Sequence, residues 1–239
     1  MSTNVTVPRR FCGPPDSGNG GYTCGLLAQQ LGSLVECTLR TPVPLETPLE
    51  FERTQAGGVL RNGKTVVVEA VPVRIAVSPP PPIGLEVATA AMASSPAMDP
   101  RHSFPTCFVC GPQRNGDDGL RIFPAQVAQD LYAAAWLPAS EFGDDQQQLR
   151  QQFLWAAMDC PTGFAAGFPT AGRLVTGRLA VEHLNPIRTG VACVIMSWPL
   201  GIDGRKHFSA ACLYQDEELC AVARATWIRV ENQLESSSA

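Results

Sequence analysis

Two segments of this sequence carry residue types that could act together on a carbonyl group. The first is Gly18-Asn19-Gly20-Gly21, just ahead of the apolar residues 22–31. A helix starting there offers unpaired N–H groups at the positive end of its dipole. Asn19 is of the type that caps such a start, and Gly20 and Gly21 let a carbonyl oxygen come close enough for their N–H groups to hold a developing oxyanion. The second segment is the apolar run Phe153-Leu154-Trp155-Ala156-Ala157-Met158 with Asp159 at its end. An acid there is costly to bury ionised, so it either sits at a solvated helix end or is kept for acid–base work. Pro161 disfavours helical geometry at Cys160 and keeps the first alternative open, in which Asp159 is solvated or caps a turn through Thr162 and Gly163.

The elements that must position these residues occur twice, in the same order: a helix, then several antiparallel strands. In the first copy, residues 36–40 partly alternate before meeting Pro42 and Pro44, and residues 49–53 alternate apolar with charged. Arg61-Asn62-Gly63-Lys64 then signals a hairpin ahead of Thr65-Val66-Val67-Val68. The second copy reads as strands over 175–184, 191–198, 208–214 and 219–230, separated by turn sequences such as Asp203-Gly204-Arg205-Lys206 and Asp216-Glu217-Glu218. Between the copies, Ser78-Pro79-Pro80-Pro81-Pro82 is stiff, and residues 88–100 are rich in Ala, Ser and Met with no sustained period. The expected organisation is therefore an N-terminal unit over 1–77, a linker over 78–103 and a C-terminal unit over 104–239. Only the first copy has glycines at its helix start, and only the second has an acid within its helix. The two complete each other as one composite site.

Composition narrows the partners. The 239 residues are 45% hydrophobic and 17% charged with a formal net charge of -4, and no block of Lys or Arg stands out, so nucleic acid is not an expected partner. No apolar run is long enough to span a bilayer, and Met1-Ser2-Thr3-Asn4 lacks the apolar core of a signal peptide, so a cytoplasmic location is expected with no membrane partner. Several of the nine cysteines, Cys24, Cys37, Cys160, Cys193 and Cys212 among them, fall in apolar segments, where a reduced thiol serves as a small hydrophobe. Cys107 and Cys110 have the spacing of zinc ligands, with His102 nearby and Cys12 in possible reach. A structural site needs four ligands, however, and no second Cys-x-x-Cys or close His pair exists. The expectation is no disulfide and no metal.

The stretch His183-Leu184-Asn185-Pro186-Ile187-Arg188-Thr189-Gly190, followed by strands, a Gly-Arg-Lys turn, an acidic turn and Ala223-Arg224-Ala225-Thr226-Trp227, resembles the sheet half of hotdog-fold acyl-CoA thioesterases. Cys107-Phe108-Val109-Cys110-Gly111-Pro112 with Gly119-Leu120-Arg121 is similar to the opening of that domain in a thioesterase-like subgroup. Gly20-Gly21 is similar to the helix-start glycines of the phenylacetate-degradation type. The resemblance implies an α+β double hotdog: two tandem units, each a central helix wrapped by a bent antiparallel β-sheet, forming an internal pseudo-dimer that could assemble further with its own copies.

It also implies roles. Similar thioesterases place a catalytic Asp or Glu on this helix, so Asp159 becomes the base or nucleophile on an acyl-CoA or related thioester, with Asn19, Gly20 and Gly21 opposite and Thr162 beside it, and with no cofactor. Eight positions on from Gly21, roughly where such enzymes carry an acid, stands Gln29, so the second site is degenerate. Arg205 and Lys206, together with Arg173 and Arg178, are candidates for coenzyme A phosphates, and Trp155 and Phe164 for lining or backing an acyl pocket. A non-catalytic acyl-binding or scaffold protein is the rival reading, because fold does not fix chemistry. A hydratase or dehydratase is a third, but none of His102, His183 and His207 lies on either expected helix. No Gly-x-Ser-x-Gly elbow is present. Residues 58–65 match the phosphate-loop pattern, yet a strand and not a helix should follow Lys64-Thr65. Gly18-Asn19-Gly20 lacks the last glycine of a dinucleotide fingerprint, with Thr23 in its place.

Overall fold

Asn19 starts the first helix, α1 (Gly20–Leu31): its side chain accepts from the Tyr22 N–H at 2.8 Å, and Gly32 ends the helix at φ 64°, where an L residue is strained. The computed structural model describes residues 4–116 and 118–230. A short helix, α2 (Leu85–Ala91), lies in the expected linker, and the long helix α3 (Gln151–Ala165) runs straight through Pro161. The break that Pro161 could have caused does not occur. Asp159 therefore lies well inside α3.

Among the described residues, eleven strands form one antiparallel sheet: β1 (Asn4–Thr6), β2 (Val35–Leu39), β3 (Pro48–Thr54), β4 (Gly57–Asn62), β5 (Thr65–Pro72), β6 (Ala125–Ala128), β7 (Leu131–Trp136), β8 (Leu174–His183), β9 (Cys193–Asp203), β10 (Lys206–Gln215) and β11 (Glu218–Arg229). Their order is β1-β3-β4-β5-β2-β8-β11-β10-β9-β7-β6. Outward from the β2–β8 junction the two halves repeat one plan. The strand after the long helix sits at the centre, then the last strand of the unit, then the two before it, then the strand ahead of the helix. Only β6 is extra. The halves join edge to edge through Glu36 opposite Ala180, Cys37 opposite Leu179 and Thr38 opposite Arg178. Glu36 takes Arg178 at 3.4 Å and Arg224 at 3.2 Å across this seam.

The Arg61–Lys64 signal is a hairpin turn between β4 and β5, with Gly63 at φ 56°, so no helix begins at Lys64 to face a phosphate. Residues 78–103 are more ordered than their composition indicated. The Tyr214 hydroxyl donates to the Pro80 carbonyl at 2.8 Å, and Ala88 of α2 is fully buried in a cluster with Ala133, Val194, Met196 and Val222. The proline stretch and α2 thus cover the outer face of the second half-sheet, which would otherwise expose its apolar side chains. Among the described residues no helix is long and apolar enough to cross a membrane.

Candidate active site

The two long helices lie against each other because two glycines let them. A Cβ at Gly21 would stand 2.5 Å from the Trp155 carbonyl oxygen and 3.0 Å from Ala156 Cα, and one at Gly25 would stand 2.6 Å from Gln152 Cα. The approximate twofold that exchanges these contacts pairs Gly21 with Gln152 and Gly25 with Ala156. Carried three residues further along both helices, it pairs Asp159 with Ala28. The position equivalent to Asp159 is therefore the buried Ala28, whereas Gln29 is exposed. The sequence count misses by one residue, but neither side chain is an acid. Gln29→Ala is expected to change stability by no more than about 0.5 kcal/mol in urea unfolding, as surface changes away from special features do.

This close approach carries Asp159 to the start of α1. Its Oδ2 accepts from the Gly21 N–H at 2.9 Å and from Asn19 Nδ2 at 3.2 Å, and its Oδ1 accepts from Thr176 Oγ1 at 2.8 Å. The carboxyl is 1% exposed. Burial pushes its pKa up to about 7, against the hydrogen bonds from Gly21 and Thr176. The solvated helix end allowed by the sequence is excluded. The acid of one unit and the helix start of the other form one arrangement.

The other expected residues divide. Asn19 both caps α1 and holds the acid. Gly21 is not a free oxyanion donor, since its N–H is given to Asp159, and the Tyr22 N–H is given to the cap. Gly20, whose N–H is committed to neither, borders a cavity of about 710 Å³ together with Asp159 and Thr176. Thr162 touches no carboxylate oxygen. Its hydroxyl donates to the Asp159 carbonyl at 2.6 Å and accepts from Trp227 Nε1 at 2.9 Å, which braces the helix and not the acid. The hydroxyl on the acid belongs to Thr176 of β8, a residue with no sequence signal beyond its place in a strand.

Trp155 and Phe164 do not line the cavity. Trp155 packs on Gly25, and Phe164 lies behind Phe168, with ring centroids 5.5 Å apart. The apolar wall comes instead from Phe104 and Phe168, stacked at 6.0 Å, with Leu39, Val43 and Trp227. Arg205 and Lys206 are exposed on the β9–β10 hairpin and border no part of it. The arginines that do are Arg40, which is paired with Glu69, and the exposed Arg173, whose guanidinium lies 5.2 Å above the Phe104 ring.

Cys107, Cys110 and Cys160 border the same cavity. Contacts with the Cys110 and Cys160 thiols, aided by the backbone N–H groups of Cys110 and Val109, hold the Cys107 thiol well below its usual range in spite of burial. Of the histidines, His207 is buried with Nδ1 2.8 Å from the Ala166 carbonyl, His183 is exposed at the end of β8, and His102 lies against Cys110. None is on α1 or α3.

No protein-family model matches the sequence, and no curated protein does. Among solved structures, the tesB protein of Mycobacterium avium subsp. paratuberculosis superposes on 91% of this chain and 89% of its own, with a TM-score of 0.62 at 11% identity. A putative thioesterase from Ralstonia eutropha, described as related to phenylacetic acid degradation, covers 46% of this chain and 86% of its own, with a TM-score of 0.42 at 19% identity. The Escherichia coli PaaI protein from the phenylacetic acid degradation operon covers 46% and 84%, with a TM-score of 0.42 at 12% identity. The long superposition and the repeated strand order give the fold, an α+β double hotdog.

Proposed function

We propose that this double-hotdog chain hydrolyses an acyl thioester, an acyl-CoA in the simplest case, at a single site between its two units. The observation that carries the reading is Asp159 of α3 held at the start of α1 by Gly21, Asn19 and Thr176, on the wall of a largely apolar cavity. A thioester carbonyl placed over the helix start meets the Gly20 N–H, which stabilises the negative charge that forms on its oxygen. Asp159 takes a proton from a water as that water's oxygen bonds to the carbonyl carbon. When the tetrahedral intermediate collapses, the C–S bond breaks and the proton passes to the departing sulfur, leaving a carboxylic acid and a thiol. Both carboxylate oxygens already accept hydrogen bonds, which fixes the acid's orientation and favours a base over a nucleophile.

Phe104, Phe168 and Trp227 offer the acyl group an apolar wall, and Arg173 at the rim can meet an anionic part of the carrier. Arg173 takes the place of Arg205 and Lys206 in this proposal because it alone of the three borders the cavity. The test is release of free thiol by the wild-type chain from a panel of short, long and aromatic acyl-CoAs, with saturation by at least one. Saturable acyl-CoA binding with no thiol released from any member would overturn hydrolysis and leave an acyl-binding protein in its place.

A further inference from the structure

We propose that Cys107, Cys110 and Cys160 bind one zinc-class divalent metal ion through three thiolates, at a point beside the Asp159 cavity. The sulfur atoms of all three lie within 4.8 Å of one another, and Cys107 Sγ and Cys160 Sγ are 3.7 Å apart. A tetrahedral zinc with Zn–S bonds of about 2.3 Å separates its sulfurs by about 3.8 Å, so the spacing fits an ion at the common point. The sequence offered Cys107 and Cys110, with His102 nearby and Cys12 in possible reach, and read Cys160 as a buried hydrophobe. The third thiol comes from α3, and the fold alone brings it in.

Three of the other buried cysteines show a different use of a thiol. Cys37, Cys193 and Cys220 each direct Sγ to a backbone carbonyl, at 3.6, 3.7 and 3.4 Å. The sulfurs of the trio face one another. Cys107–Gly111 is a tight turn that closes with the Gly111 N–H on the Cys107 carbonyl at 2.9 Å. A Cβ at Gly111 would stand 2.5 Å from both the nitrogen and the carbonyl oxygen of Cys107, so the turn needs glycine.

His102 belongs to the second layer. Its Nδ1 accepts the Phe104 N–H at 3.2 Å, which assigns the ring proton to Nε2, 3.5 Å from Cys110 Sγ. It supports that sulfur as a donor. Three protein ligands leave one tetrahedral position, and because all three cysteines border the cavity, solvent can fill it. On binding, three S–metal bonds replace the S–H bonds and the thiol protons leave to solvent. The ion would staple the Cys107–Gly111 turn to α3 next to the acid.

The test uses the full chain, reduced and reconstituted with Zn²⁺ or Co²⁺ alone, and reads metal content and spectrum, so it is independent of any hydrolysis. One equivalent of zinc is expected. The cobalt form should show the d–d bands of a tetrahedral site and thiolate charge transfer of three-sulfur intensity. Cys160→Ser should weaken metal binding by at least about 100-fold, since losing a ligand exceeds the effect of losing its supporting partner. A wild-type chain that takes up neither ion would overturn the site without reference to whether the variant folds. So would a Cys107–Cys160 disulfide that re-forms in preference to zinc uptake, or a Cys160→Ser chain that binds as tightly as wild type.

Discussion

Asp159→Asn is expected to lower kcat for thioester hydrolysis by about 10² or more, the usual worth of a positioned general base, with little change in KM or in the denaturation midpoint. The hydrogen bonds explain why Asn is the informative change. An amide oxygen can replace Oδ2 and keep the donors from the Gly21 N–H and Asn19 Nδ2. The amide nitrogen then stands where Oδ1 was, and the Thr176 hydroxyl turns to accept from it and no longer donates. All the partners stay paired and a buried charge is gone, so folding has no reason to suffer. Asp159→Ala would confuse the result, because it leaves three donors without an acceptor at about 1–3 kcal/mol each. A steady-state assay in which Asp159→Asn keeps a kcat within about threefold of wild type would sink the base mechanism.

Much of the architecture was legible because β8 to β11 are apolar, β-rich runs and the turns between them carry Gly or acidic residues. The repeated order of parts, the helix over residues 22–31 and the hairpin at Gly63 all stand in the structure. β6 and β7 were not legible: Ala125–Ala128 and Leu131–Trp136 are largely alanine, which marks neither period. α2 was hidden by the same composition, and its burial depends on a sheet face that sequence does not display.

The candidate site was legible at its two poles, Asp159 and the Asn19-Gly20 helix start, since each breaks a local rule: an acid within an apolar run, and glycines opening a helix. What joins the poles was not. Thr176 reaches the acid from β8, and no spacing within α1 or α3 encodes it. Ala28 and Gln29 differ by about 100° around a helix, so one residue of error moves the reading from the interface to solvent. The role of Gly21 was misread for a similar reason. Its missing side chain admits the neighbouring helix, not a substrate.

That role gives the second large effect a sign. Helix propensity alone says that Gly25→Ala stabilises α1 by about 1 kcal/mol. Packing says the opposite, because the added Cβ would sit 2.6 Å from Gln152 Cα and 2.9 Å from Trp155 Cβ, and the nearer atom is backbone that no rotamer can move. Two contacts this short, one of them to backbone, fall at the upper end of the cost of overpacking, about 3 kcal/mol, so the net expectation for Gly25→Ala is a destabilisation of about 2 kcal/mol in urea unfolding. Gly21→Ala should behave alike, with contacts at 2.5 Å to the Trp155 carbonyl and 2.6 Å to Asp159 Cβ, and it should lose turnover as well, since parting the helices there withdraws the acid from the Gly21 N–H and Asn19. Unchanged or raised stability in Gly25→Ala would show that the helices are not held at this distance in solution. The composite site, which needs that distance to bring Asp159 to the start of α1, would then lose its geometric basis.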